Sequence, residues 1–371
     1  MDAIDWGTAQ QVGELVAGSP PFGGVGRASV QPLADDFARR VASYSMLELT
    51  TAPPPLEVVD RPAWIAANLR NMTPLLGTLT EQMARGGGPL AGPLRSVSRQ
   101  LLGVQVGTLM GILSQRVLGQ YDLSLLDPSQ PSRLLLVGPN LTMTAHSLGV
   151  DRDELVVWVT IHEITHAVQF AGTPWLRGHL EGMVRELIDG LTATIEGGMH
   201  PRPGHRSLAD ALSGALELGD MRQLIERARR GELLRLTLGE DRWELVERIQ
   251  AVMSLIEGHA EHTMDVVGAE LLPSLPRLRA AMTRRRESRS LSWRVLERLL
   301  GLSMKMRQYE VGRAFCDAVV SEGGAGALAR AWSAAEALPS TAELKDPSAW
   351  LARTDAASEP PAGAGRPATA V

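Results

Sequence analysis

Cysteine is almost missing from this sequence: Cys316 is the only one in 371 residues. A lone thiol forms no internal disulfide and builds no cysteine zinc finger, so the chain fits a reducing, cytoplasmic compartment. Lysine is nearly absent too. Lys305 and Lys345 are the only two, and arginine supplies the rest of the 37 basic residues. With abundant Ala, Gly and Pro, that bias points to a GC-rich genome rather than to a phosphate-binding surface. A formal net charge of −5 gives no reason to expect nucleic acid as the main partner. No apolar run is long and charge-free enough to cross a bilayer. The opening MDAIDWGTAQQ has neither the basic nor the apolar region of a signal peptide.

What the chain does have is a large apolar share, 44%, enough for a sizeable core. Periodicity predicts helices over 5–17 and 30–44, then a short extended piece and a helix entered through Pro62. Two more are expected within 73–119, the second over 94–118, apolar on most faces and buried. RLLLVGPNL predicts a strand at 133–138, an edge to which an extended peptide could add. Helices are expected at 151–172, 176–197, 208–229, 241–268 and 292–321, with a polar turn over 273–290. The fold class is mainly α, with a small β element beside the central helix. Residues 1–130 read as an N-terminal helical region, 131–350 as the catalytic part and 351–371 as a disordered tail.

The stretch WVTIHEITHAVQF, residues 158–170, carries the chemistry. Its β-branched residues favour a strand, but its length and the capping-box spacing of Asp151 and Glu154 favour a helix. On a helix His162 and His166 project from one face, one turn apart, and both can reach one zinc ion. Glu163 lies about 100° round the axis from His162, where it flanks the ion and can take a proton from water. The plainer alternative is a pair of core histidines bonded to carbonyls.

A catalytic zinc needs a third protein ligand. The metzincin continuation requires Gly at 169 and His at 172, but the chain has Gln169 and Gly172. A carboxylate from a later helix is the alternative, and LIEGHAEHTMD offers Glu257, Glu261 and Asp265 at i, i+4 and i+8. Glu257 is the preferred ligand. Glu261 or Asp265 would then orient His162 or His166 through the free ring nitrogen. The rival assignment makes Glu261 the ligand. Gly258 and Ala260 are small and are expected to let this helix approach the metal helix.

HEITH followed by EGHAEH resembles the gluzincin branch of zincin metallopeptidases, in which a glutamate in an E-G-x-A context is the third ligand. VVDRPAWIAAN, QYDLSLLDP, LLLVGPN, WVTIHEITHAVQFAGTPWLR, IEGHAEHTMD and LLGLSMKMRQYEVGRAF resemble an actinobacterial family of zincin-like hydrolases, over about residues 4–350. That family is described as zinc-dependent metalloproteases, and one branch is associated with the biosynthesis of a deazaflavin coenzyme. The resemblance implies a largely helical zincin-like fold, bound Zn2+ and a peptide or amide substrate. A zincin-like protein that keeps its metal without cleaving anything is the alternative. Tyr309 and Arg307 are candidates for stabilising an oxyanion or touching substrate. His179 is expected to make a loop contact, and the arginines at 284–286 and 289 to form a solvated face.

Overall fold

The structure is a computed structural model that describes residues 4–18, 20, 27–49, 51–85, 91–127, 129–197, 240–287 and 302–358. The side chains of 27–32, 75–85, 91–96, 191–197, 240–241, 286–287 and 302–309 lie outside that description, as does the helix expected over 208–229. The described residues are mainly helical, with one small mixed sheet.

The sheet contains β1 (Leu56–Val59), β2 (Gly119–Asp122) and β3 (Arg133–Val137), in the order β1-β3-β2. β1 runs parallel to β3, pairing Leu56 with Leu134, and β2 runs antiparallel, pairing Gly119 with Leu136. The strand expected as an edge is therefore the centre. Its residues Leu134 to Val137 are at most 1% exposed. Leu134 and Leu136 enter one core and Leu135 and Val137 another, which is why the segment reads as a continuous apolar run. β1 and β2 precede position 130 and β3 follows it, so both halves of the chain build the sheet.

The second core is closed by α1 (Trp6–Ala17), α3 (Arg61–Arg85) and α4 (Ala91–Ser114). α3 is one helix running through Pro74, where the sequence predicts two. α4 is not buried all round. Gly103 and Gly111 lie against the backbone of α1, where an added Cβ would come within 2.6 Å of Asp5 and Gly13 oxygens. Val97, Leu101 and Val104 are exposed instead.

Arg61 opens α3 from a buried position. It donates from Nη1 to the Ala17 carbonyl at 2.6 Å and from Nε to Asn140 Oδ1 at 2.9 Å. Asn140, in α5 (Gly138–Leu148), donates in turn to the Ser114 and Val117 carbonyls at 2.7 and 2.6 Å. One Arg–Asn pair thus satisfies the carbonyl ends of two N-terminal helices, groups with no partner of their own inside a helix.

The H-E-x-x-H segment is helical: α6 spans Arg152–Gly172, and Asp151 caps it by accepting from the Asp153 and Glu154 amides, both at 2.9 Å. β-branching costs at most about 0.7 kcal/mol per residue in a helix. Burying each Val or Ile side chain returns about 1.5–3 kcal/mol. Val156, Val159, Ile161, Ile164 and Val168 are all buried, so packing overrides propensity. This core also takes Phe37 and Val41 from α2 (Arg27–Ser45) and Met264 and Val267 from α8 (Glu240–Leu271).

A third core lies between α7 (Pro174–Gly197), α8, α10 (Leu302–Ala329) and α11 (Pro347–Ser358). α11 continues to Ser358, beyond the point at which a disordered tail is expected, because Trp350 and Leu351 are buried. Residues 275–287 form a further helix, α9, where the sequence suggests a polar turn. Leu275, Leu278, Ala281 and Met282 anchor it at helical spacing.

Candidate metal centre

α6 presents His162 and His166 at right angles, with ring centroids 4.8 Å apart and planes 87° apart. Their Nε2 atoms are 3.3 Å from each other. α8 crosses α6 and brings Glu257 Oε2 to 3.7 Å from His162 Nε2 and 3.4 Å from His166 Nε2. Four-coordinate zinc holds nitrogen and oxygen ligands at ~2.0–2.1 Å, which places tetrahedral neighbours about 3.3 Å apart. The three contact distances match that spacing. The donor set of two imidazoles and a carboxylate is one that zinc accepts, so the residues fit the ion.

The electrostatics fit as well. Burial opposes charge on His166, but the Glu257 carboxylate outweighs it and raises the ring to about 9 in the metal-free protein. Burial likewise opposes charge on Glu257, and the two imidazoles overcome it and hold the carboxyl far below its usual range. The cleft thus favours a positive charge between these groups.

The approach of α8 depends on glycine, though not in the direction the sequence suggests. Gly258 faces α10 instead of α6. A Cβ on Gly258 would collide with the Gly312 and Arg313 backbone, and one on Gly312 would collide with Ser254. Glu257 is therefore positioned by a backbone-to-backbone crossing of α8 and α10.

Glu163 sits beside the cluster, 7% exposed, and accepts at Oε2 from the Tyr121 backbone N–H at 2.7 Å. Burial pushes its carboxyl upward, against the lowering effect of the His162 and His166 charges. Tyr121 and Gly119 belong to β2. A Cβ on Gly119 would lie 2.8 Å from Glu163 Cγ and Oε1 and 2.7 Å from Val159 Cγ1, so only glycine lets the strand press against α6 here. The other face of β2 is gripped by α3. Trp64 Nε1 donates to Gln120 Oε1, and Asn71 Nδ2 donates to Asp122 Oδ1, both at 2.6 Å.

The structure places Glu261 and Asp265 beside arginines. Asp265 pairs with Arg279 at 2.8 Å and Arg313 at 2.6 Å, and Glu261 lies 3.9 Å from Arg313. Burial raises the Asp265 carboxyl to about 6, although Arg313 pulls the other way. His262 joins Tyr44 and Asp317, each at 2.6 Å. The ring nitrogen of His166 instead meets Gln169, whose Oε1 is 2.9 Å from Nδ1. Gln169 also reaches His259 Nδ1 at 2.8 Å and the Ile256 carbonyl at 2.9 Å. The only hint of this in the sequence is a lone amide three residues after His166.

Tyr309 and Arg307 fall in the opening turns of α10, and their side chains lie outside the described residues. His179 is in α7, not in a loop, with its ring 5.9 Å from Trp175. It lines a cavity of about 490 Å³ with Arg248 and Arg353, and none of the metal-centre residues borders that cavity.

Two histidines one turn apart on a buried helix, faced by a glutamate from a crossing helix, are the elements of a zincin-type centre. The family comparison agrees: residues 4–351 match the model of the zincin-like metallopeptidases, and the chain belongs to that family. Its fold is similar to the crystal structure of a candidate hydrolase with a novel fold from Chloroflexus aurantiacus. The two are 30% identical, with a TM-score of 0.64 over 95% of this chain and 99% of that one. No curated protein matches. No helix among the described residues is long and apolar enough to cross a membrane.

Proposed function

We propose that the protein is a zinc-dependent metallopeptidase that hydrolyses peptide or amide bonds. The observation that carries this reading is the convergence of His162, His166 and Glu257 at zinc-ligand spacing, with Glu163 against them. The first three residues would hold the ion. A zinc ion bound there supplies a Lewis acid and brings the pKa of water down to about 7.

Glu163 is the general base. The Tyr121 amide holds one of its oxygens, so Oε1 is the atom left to accept a proton from water. Burial raises its proton affinity, which suits a group that first takes a proton and then returns it to the leaving nitrogen. A peptide substrate can add only at an outer strand of the sheet, and β2 is the outer strand that touches Glu163.

The test has two stages. Purified protein is assayed for zinc by mass spectrometry, with one ion per chain expected. A mixed peptide pool is then digested by wild type and by Glu163→Gln. Retained zinc with activity lower by roughly 10²–10⁴-fold in the variant supports the proposal. Bound zinc with identical, background cleavage in both proteins favours the non-catalytic alternative.

A further inference from the structure

Gln169 is fully buried, and a main-chain carbonyl fixes which way round its amide sits. Its Nε2 lies 2.9 Å from the Ile256 oxygen. A carbonyl oxygen only accepts, so the NH2 end must face it; the reversed amide would set two oxygens against each other. With that end fixed, Oε1 faces His166 Nδ1 and the second N–H faces His259 Nδ1.

Each neutral ring is then left one tautomer. His166 donates from Nδ1, so its neutral form, the one able to bind a metal ion, carries the lone pair on Nε2, the atom that faces His162 and Glu257. His259 accepts at Nδ1 and keeps its proton on Nε2, which lies 3.5 Å from Thr263 Oγ1. His259 is 1% exposed, and Trp332 packs against it at a centroid distance of 5.0 Å. Ile256 directly precedes Glu257, so the same amide also holds the backbone that carries the third ligand.

We propose that Gln169, backed by His259, is the positioning residue of this centre: one neutral amide selects the His166 tautomer and locks α6 to α8 beside Glu257. The proposal rests on the metal reading above. Zinc-bound histidines are usually oriented by a carboxylate, a carbonyl or water on the second ring nitrogen. Here a side-chain amide fills that place, and its NH2 end joins the two helices.

Gln169→Met keeps the length and packing of the side chain and removes both the acceptor and the donor. Zinc affinity, measured by chelator competition, is expected to fall roughly 10- to 100-fold. The thermal midpoint of the metal-free protein should fall, because the Ile256 carbonyl and two ring nitrogens lose a partner, and the visible spectrum of the cobalt-substituted form should change. An affinity within twofold of wild type would overturn the proposal.

A second measurement needs no variant. Long-range 1H–15N correlation of the wild-type imidazoles should show His259 protonated at Nε2 and bare at Nδ1. A proton on His259 Nδ1 overturns the relay even if Gln169→Met fails to fold. Failure of the wild type to bind zinc would overturn the metal reading itself, and the His259 tautomer would still decide whether the amide is arranged as described.

Discussion

Gly258 and Gly312 meet backbone to backbone where α8 crosses α10, one residue from Glu257. The third corner of the candidate metal centre is therefore set by a contact on another face of its helix, about 100° round the axis. Gly312→Ala places a methyl against Ser254 and must push the helices apart. A loss of about 1–3 kcal/mol in stability is expected. Zinc affinity should fall with it, because Glu257 is displaced from its present spacing to the imidazoles. Chemical denaturation and chelator competition on the same variant test both outcomes.

Gly119→Ala should behave differently. The added methyl meets the Glu163 side chain, not a metal ligand. Zinc stoichiometry is expected to stay near one while peptide hydrolysis falls on the order of 10²-fold, as a misplaced catalytic group commonly does. Activity close to wild type with zinc retained would argue against Glu163 as the base.

Zinc should stabilise the fold as well as the reaction. The ion would join α6 to α8, so the thermal midpoint should climb with free zinc and drop on chelation. His162→Ala is expected to abolish the zinc dependence while leaving the chelated midpoint close to that of wild type. Calorimetry at a series of zinc concentrations measures this.

Asn140→Leu tests the Arg–Asn node. The substitution leaves the Arg61 guanidinium without one acceptor and the buried Ser114 and half-buried Val117 carbonyls without this donor. A destabilisation of about 3 kcal/mol is expected, read as a lower denaturation midpoint with an unchanged slope.

Cys316 should be inert in the native protein. It is fully buried, and burial together with the neighbouring Asp317 pushes its thiol far above the usual range. Iodoacetamide at pH 8 should label it only in denaturant. Rapid native labelling would show that the α8–α10 packing opens locally.

The metal helix is legible in the sequence because its signals are local. Capping residue, candidate ligand pair and proposed base all lie within one helix, and helical geometry alone relates them. Glu257 is legible for a similar reason, as the acid beside two small residues on an apolar helix. Glu261 and Asp265 lie progressively further round the helix than Glu257. Steps of four residues drift about 40° each at 100° per residue, so by Asp265 the face has turned toward Arg279 and Arg313. β2 is too short for a period-two pattern to show, and its pairing with β3 depends on residues elsewhere in the chain. α9 was masked by prolines and arginines, although Leu275, Leu278 and Met282 kept helical spacing.

β2 links two regions that share no direct chemistry. Trp64 and Asn71 hold one face of this four-residue strand, and the amide of Tyr121 steadies Glu163, the proposed base, from the other. The strand thus works as a short lever between the N-terminal helices and that carboxylate. Changes to Trp64 or Asn71, remote from the proposed cation site, should register as altered turnover with zinc stoichiometry unchanged.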